Sequence, residues 1–184
     1  VTDDRWTWFL RGLENTLLIS LFAVLIGLII GLTVALFRLS GSKILRTIGS
    51  VYVDIIRGTP TMVQLLIIYF IIFGSVPISR LVVGILAFGI NSGAYMAEIV
   101  RGGILSVNKG QTEAGRSLGL SSAQTMIFIV IPQAVKNILP AMANEFIVLI
   151  KETAVIGMVD NIDLLGAAKK VQSRTYDYFW PLIS

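Results

Sequence analysis

The chain alternates between long uncharged stretches and short charged segments. Uncharged residues occupy positions 15–37, 58–79, 81–97 and 117–135. A helix that crosses a bilayer needs about 20 mostly apolar residues, so the first two stretches predict transmembrane helices outright. The third stretch qualifies if its flanking charges lie at the interface. Pro132 and Pro140 fall within or just after the fourth stretch, and apolar residues resume at 146–150, so the pattern there predicts an interrupted span.

Composition supports a membrane protein and excludes several classes of enzyme. Apolar residues make up 55% of the chain and charged residues 14%, and the mean hydropathy is +0.82. The chain contains no cysteine and no histidine, which excludes thiol catalysis, Ser–His pairs and the usual zinc, haem and copper ligand sets. It also has no phosphate-binding G-x-x-x-x-G-K-[ST] loop. The first stretch is too long for the apolar region of a signal peptide. We therefore interpret residues 1–184 as one transmembrane domain with no catalytic, cofactor or metal site of its own.

The distribution of charge predicts an orientation. Basic residues outnumber acidic ones in segments 38–57 and 101–116, whereas the segments expected on the other side are balanced. The positive-inside rule places the two basic segments in the cytoplasm and the N-terminus outside. Residues 44–56 have a short amphipathic pattern, which predicts a helix along the cytoplasmic interface. Thr59 and Pro60 suit the N-cap and first residue of the second span.

Residues 106–132 form a charged insert between two predicted spans. Glu113 is expected in the first turn of a helix, where its charge favours the positive helix end. Gly119 is expected to end that helix in a left-handed conformation, and Ser121 with Gln124 predicts a capping box that begins the next helix. Such a module suits a docking surface for a partner in the water phase; a solvated loop helix without a partner remains an alternative. A DNA-binding role is disfavoured, because the insert is short and nearly neutral and both its ends lead into the membrane.

The insert resembles the cytoplasmic signature of permease subunits from type I, binding-protein-dependent ABC importers. That signature is E-A-A, three residues, Gly, nine residues, then I-x-L-P, and this chain has Glu113-Ala114-Gly115, Gly119 and residues 129–132 at the same spacing. Gly115 and Ile131 depart from it. Resemblance to the polar amino acid branch extends over nearly the whole chain, through residues 57–60, 63–65, 94–98, 101–104, 110–113, 132–134, 139–140 and 151–154.

The resemblance implies an all-α type I importer permease with about five transmembrane helices, the last of them only begun in this chain near residues 178–180. It implies a multi-pass protein in the lipid of the bacterial inner membrane that works as a homo- or heterodimer. A separate ABC ATPase at the cytoplasmic face would bind ATP and Mg²⁺, and an extracytoplasmic binding protein or fused binding domain would deliver an amino acid. No nucleic acid is implied. The residues implied in ATPase coupling are Gln111, Glu113, Ala114, Gly115, Arg116 and Gly119.

Polar residues at membrane depth are the candidates for substrate contact, because such groups are costly in lipid and usually face a bundle interior or cavity. Asn91, Tyr95 and Glu98 share one helical face, and the polar pair at 144–145 recurs seven residues later. The complete candidate set is Gln64, Asn91, Tyr95, Glu98, Asn144, Glu145, Lys151 and Glu152.

Structural roles compete with substrate contact for most of these candidates. Glu98 suits an ion pair with Arg101, and Lys151 suits one with Glu152. Gln64 and Asn144 suit contacts between helices, and Tyr95 suits an interior aromatic residue.

Three classes of function compete at this point. The first is an ABC permease subunit for a polar or basic amino acid, or for another small solute. The second is a secondary transporter, which would usually need more spans and a coupling-ion site. The third is a membrane scaffold, which would leave the interior polar residues unexplained.

Overall fold

The computed structural model describes residues 5–159, 163–176 and 179–183, and these residues form an all-helical bundle. The helices, in chain order, are α1 (Arg5–Leu39), α2 (Lys43–Gly58), α3 (Thr61–Leu66), α4 (Arg80–Leu105), α5 (Lys109–Ser117), α6 (Ser122–Thr125), α7 (Ile131–Glu152), α8 (Leu164–Thr175) and α9 (Trp180–Ile183). Segments Ile67–Ile72 and Met126–Val130 are π-helical, and Thr153–Val159 is a 3₁₀-helix. The expectation of an all-α fold is confirmed.

Helices α1 and α4 pack closely because both carry glycine at their shared face. A Cβ atom on Gly27 would lie 2.8 Å from the Ser92 side chain, and one on Gly93 would lie 2.7 Å from Cγ2 of Ile30. Small residues at such positions let two helix backbones approach in lipid. These glycines therefore serve helix packing within a single chain. The apolar core beside this contact comprises Ile19, Leu65, Phe88, Leu149 and Ile156 together with smaller residues.

The expected second span is not a straight helix. Residues 61–72 are too few to cross a bilayer alone, and this segment meets α2 at an angle of 104°. Thr59 closes the C-terminal end of α2, and Pro60 is the N-cap of α3. The prediction that Thr59 caps this helix and Pro60 begins it was therefore wrong by one residue. The residue before a proline is disfavoured in helical conformation, so the chain breaks at Thr59. Helix α2 and residues 61–72 together are long and apolar enough to cross a membrane as one bent span.

The fourth span is longer and more regular than expected. One continuous helical segment, Ser122–Gly157, is long and apolar enough to cross a membrane, and Pro140 lies inside α7 without ending it. The predicted interruption after Pro140 was wrong, because the helix tolerates the missing N–H and continues to Glu152. The change of winding falls instead at the π-helical turn before Pro132 and at the 3₁₀-helix after Glu152.

Helix α8 packs against the first half of α1 and covers that end of the bundle. Buried Asp163 is its N-cap and accepts a hydrogen bond from the backbone N–H of Gly166 at 2.8 Å. Burial raises the pKa of the Asp163 carboxyl above its ordinary value. Lys170 and Arg174 each lie 4.5 Å from the ring centre of Trp8 on α1. Helix α9 (Trp180–Ile183) lies where the resemblance predicts the start of a last span; Tyr178 itself lies outside the described residues.

Candidate functional site

A cluster of polar side chains lies between α3, α4 and α7, well inside the spans. We call it the polar cluster and define it as Thr61, Gln64, Asn91, Glu145 and Glu152. The side-chain N–H of Asn91 donates to Oε1 of Gln64 at 3.0 Å and approaches Oγ1 of Thr61 at 3.5 Å. The hydroxyl of Thr61 lies 3.4 Å from Oε2 of Glu152. Three candidates that the sequence spreads over three segments, Gln64, Asn91 and Glu152, are thus brought together, with Thr61 joining them.

Two members of the polar cluster are carboxylates on α7. Glu145 is buried and lies beside Ser92, with Arg57 and Glu152 near enough to act on its charge. Arg57, at the end of α2, holds its guanidinium 5.2 Å from the ring centre of Tyr95. The bend between α2 and α3 therefore places a cation near the acidic residues. Sequence reasoning missed Arg57, Thr61 and Ser92 as site residues. The one usable signal was that Arg57 and Thr61 lie on either side of Pro60, where the chain bends.

Asn144 and Lys151 point away from the polar cluster. Both are exposed, whereas their neighbours Glu145 and Glu152 face inward. Lys151 lines a cavity of about 300 Å³ between the first half of α1, the end of α7 and α8, together with Thr16 and other residues. Among the hydrogen bonds of the described residues, Glu152 is bonded to Thr61, and Lys151 acts on it only through its charge.

Glu98 belongs to an ion-paired triad rather than to the polar cluster. It pairs with Arg38 at the end of α1 and with Arg101 one turn further along α4, the latter at 2.8 Å. The expected pairing with Arg101 is confirmed, and Arg38 completes it. The triad therefore ties the ends of α1 and α4 together at the side where the insert begins.

The insert forms two short helices joined by a tight turn. Gly119 has φ of +87°, and Ser121 and Gln124 form a reciprocal capping box, so both predictions are confirmed. Asn108 caps α5 by accepting from the N–H of Gly110 at 2.8 Å. Because α5 begins at Lys109, Glu113 falls beyond the first turn, and the predicted favourable interaction of its charge with the helix start was wrong.

The structure explains why glycine occupies position 115. Gly115 is buried, and a Cβ atom there would lie 2.7 Å from Cδ1 of Ile129 and 2.9 Å from Cγ2 of Thr125. The coupling candidates Gln111, Glu113, Ala114, Arg116 and Gly119 are exposed. Leu118, at the turn, is 82% exposed; sequence reasoning missed this apolar residue, although its position beside Gly119 in a polar insert was a usable signal.

Within the described residues, no group of three acidic, cysteine or histidine side chains is placed to hold a metal ion. The arrangement suits binding and movement rather than bond-making chemistry. Buried carboxylates, one nearby guanidinium and side-chain amides can bind a small polar molecule.

Comparisons with known proteins show the family and the fold of the chain. The family model described as the binding-protein-dependent transport system inner membrane component matches residues 23–182. A putative glutamine transport system permease protein from Rickettsia typhi is 40% identical, over 96% of this chain and 82% of the relative. The arginine transport system permease protein of Bacillus subtilis is 37% identical, over 99% and 84%. The crystal structure of an amino acid ABC transporter with histidines is 47% identical with a TM-score of 0.89, over 96% of this chain and 83% of that chain.

Proposed function

Because the chain belongs to the family of inner membrane components of binding-protein-dependent transport systems, we propose that it moves a polar or basic amino acid inward through the polar cluster. The chain is a multi-pass permease of an ABC importer, and energy comes from a separate ATPase. Its relatives include permeases for glutamine and arginine transport, which supports an amino acid as cargo. Asn91, Glu145 and Glu152 from the sequence-based candidates, together with Thr61 and Arg57, supply the chemistry of the site.

The proposal rests on the two carboxylates of the polar cluster. Glu145 and Glu152 lie on one face of α7 and have hydroxyl and guanidinium groups as neighbours. Carboxylates at membrane depth are costly unless a cation approaches them. An amino acid provides that cation through its ammonium group or a basic side chain. Arg57 is placed to bind the carboxylate of the same molecule, a role for which Lys151 is turned the wrong way.

The depth of the polar cluster also supports transport. Asn91 lies near the middle of α4 (Arg80–Leu105), and α3 begins at the break of the bent span. Transporters commonly bind their substrates near the midplane, beside helices that are interrupted there. The break at Thr59 and Pro60 adjoins Thr61 of the cluster. The interrupted element is thus α2 with α3, rather than the end of α7.

A second permease subunit is expected to cover α7. Only 11% of the most apolar window of Ser122–Gly157 is buried within the chain, compared with 61% for α4. Asn144 is exposed on this span, and a polar group facing lipid at this depth would be costly. A subunit packed against α7 would shelter this side chain and enclose a path beside the polar cluster.

The insert is the proposed docking site for the ATPase. Gln111, Glu113, Ala114 and Arg116 present a polar surface, with Gly115 and Gly119 shaping it. We assign Leu118 as the apolar contact at its tip, because an 82% exposed leucine in water favours burial in a groove. The basic segments beside the insert support a cytoplasmic position for it, with the N-terminus of the chain and a binding protein outside.

Glu152→Gln tests the substrate site. The variant keeps the shape of the side chain and removes its charge, so we expect about tenfold weaker apparent affinity for arginine, equivalent to about 1.4 kcal/mol. Uptake is measured in membrane vesicles that contain the complete transporter, with arginine and glutamine in separate assays. A larger loss for arginine would identify a cation contact at Glu152.

Glu14→Gln is the matched control, since Glu14 is exposed on α1 and is not part of the polar cluster. Equal apparent affinities in wild type and Glu152→Gln for every amino acid transported would reject the binding role. Failure to co-purify an ATPase with the wild-type chain would reject the importer assignment itself.

A further inference from the structure

The break between α2 and α3 leaves backbone groups that need hydrogen-bond partners. Thr59 and Pro60 are both extended, with ψ of 144° and 133°. The last carbonyl groups of α2 therefore have no partner in a following helical turn. Inside a membrane, such groups must be satisfied by the protein itself, because no water is available.

The side chain of Gln64 satisfies one of these carbonyl groups, that of Ile56, and the carbonyl of Thr59 in the break. Its Nε2 lies 2.7 Å from the carbonyl oxygen of Ile56, 3.0 Å from that of Thr59 and 2.7 Å from the Thr59 hydroxyl. The Thr59 hydroxyl itself donates to the carbonyl of Ile55 at 2.8 Å. Carbonyl oxygens only accept hydrogen bonds, so the nitrogen of the amide must face α2. Gln64 is 8% exposed.

The other end of the same amide is bound to α4. Oε1 of Gln64 accepts a hydrogen bond from Asn91 at 3.0 Å, and Asn91 in turn approaches Thr61. One side chain on α3 thus connects the end of α2, the break and α4. Both ends of the amide are occupied, so it has little capacity left for a direct substrate contact.

Gln64 sits between two residues of the proposed site. Arg57 lies at the end of α2, next to Ile56, and Thr61 begins α3. The angle at the break therefore sets the distance between the guanidinium above Tyr95 and the hydroxyl beside Glu152. A change of this angle would separate the proposed anion-binding and cation-binding groups.

We propose that Gln64 is a positioning residue that holds the bend of the broken span and thereby places Arg57 and Thr61 for the amino acid. The inference rests on the proposed function for its effect on transport, but the bend itself is a property of the chain. Asn91 orients the amide from α4. The hydrogen bonds from Gln64 keep α2 and α3 at one angle.

The bend is measured directly with a pair of spin labels. The chain has no cysteine of its own, so cysteines at Ile48 on α2 and Ile71 in the π-helical segment label both arms. These side chains are 54% and 76% exposed. Labelled chains are diluted with unlabelled wild type in the complete transporter, so that distances within one subunit dominate. We expect one narrow distance distribution in wild type and a broader one in Gln64→Met.

Val63→Met is the matched control, because Val63 is the preceding residue on α3 and is 44% exposed. It should leave the distance distribution narrow. Gln64→Glu provides a second variant: an ionised carboxylate is repelled by the carbonyl oxygens, whereas a protonated one can donate to them. The narrow distribution should therefore return as the pH falls in Gln64→Glu but not in Gln64→Met. A merely space-filling role would show no such recovery.

Transport provides the second measurement. Leaving buried carbonyls unpaired should weaken the apparent affinity for arginine by about tenfold in Gln64→Met, with Val63→Met unchanged. An unchanged narrow distribution in Gln64→Met would overturn the proposal. A broad distribution with unchanged affinity would overturn the link to the site. If the wild type transports no amino acid while the distribution still broadens, the proposed function fails and the role of Gln64 in the bend stands.

Discussion

The triad of Glu98 with two arginines gives the sharpest test of the packing between α1 and α4. Glu98→Gln removes the single carboxylate that neutralises Arg38 and Arg101. The arginines cannot lose their charge, so both guanidiniums would remain close together without a counter-charge. The substitution should therefore destabilise the bundle rather than simply delete one contact.

The burial of the triad sets the size of the effect. Removing one partner of a fully buried pair costs about 3–5 kcal/mol, whereas an exposed pair contributes about 0.2–1 kcal/mol. The side chains of Arg38, Glu98 and Arg101 are 15%, 22% and 31% exposed, which places the triad between these limits. We expect a loss of about 2 kcal/mol, which for a chain of this size lowers Tm by about 4–8 °C.

The assay is thermal unfolding of the solubilised complete transporter, at two salt concentrations. Glu14→Gln makes the same chemical change at an exposed position of α1 and should shift Tm by no more than about 1–2 °C. The double variant Arg38→Met with Glu98→Gln should be less destabilised than the sum of the two single variants, because it leaves only one arginine unpaired. Additive effects, or a Tm for Glu98→Gln equal to that of Glu14→Gln, would refute the coupling of the two helices through this triad.

Three further predictions concern the insert, the orientation of the chain in the membrane and helix α8. Gly119→Ala should weaken co-purification of the ATPase and cost about 1 kcal/mol, because φ is +87° there, whereas Gly41→Ala, in similarly open space, should have little effect. An impermeant thiol reagent added outside should label a cysteine at Ser75 and not one at Ser42; the reverse pattern would overturn the orientation. Asp163→Asn should keep the cap of α8, and above the ordinary carboxyl pKa it should be at least as stable as wild type by thermal unfolding. Because burial raises the pKa of Asp163 in the folded state, wild-type stability should fall as the pH rises from the ordinary carboxyl pKa through the raised one. An equal pH dependence in Asp163→Asn would contradict this.

Local signals in the sequence predicted the spans and the insert well. Long uncharged stretches are sufficient to predict helices in a bilayer, since the backbone has almost no alternative there. The turn of the insert was predicted because Gly119, Ser121 and Gln124 act within a few residues of one another. The partner of Glu98 three residues away was predicted for the same reason. Arg38 lies 60 residues from Glu98 in the chain, and no local spacing could have indicated it.

The bent span was missed because proline has two opposite uses. Pro60 suits the first turn of a helix, and that use predicted a straight span from residue 58 to 79. Proline also forces the preceding residue out of helical conformation, and here that effect decides the structure. The amide of Gln64 makes the break tolerable by satisfying the carbonyls, but its contact with Ile56 spans the break. The sequence alone does not show that this glutamine turns back toward α2.

Local sequence patterns also could not show which of two adjacent polar residues on α7 points inward. Asn144 and Glu145, like Lys151 and Glu152, are neighbours in sequence, and each pair recurs after seven residues. That spacing shows that the pairs share a face of the helix but does not say which member points inward. Packing against α4 decides it: Glu145 is placed beside Ser92, and Asn144 is left exposed.

Helix α4 connects the polar cluster with the insert, and irregular backbone lies in the spans around it. Helix α4 is regular from Arg80 to Leu105 and carries both Asn91 of the polar cluster and Glu98 of the triad before leading into the insert. The break, the π-helical segments and the 3₁₀-helix all lie in the spans beside it. A regular helix transmits displacement along its length, whereas irregular turns absorb changes of angle. Movement of the insert would therefore shift α4 and α1 together, through the triad and the glycine contact. Because Gln64 binds both the break and α4, it would carry α2 and α3 with α4 while the angle between them is held.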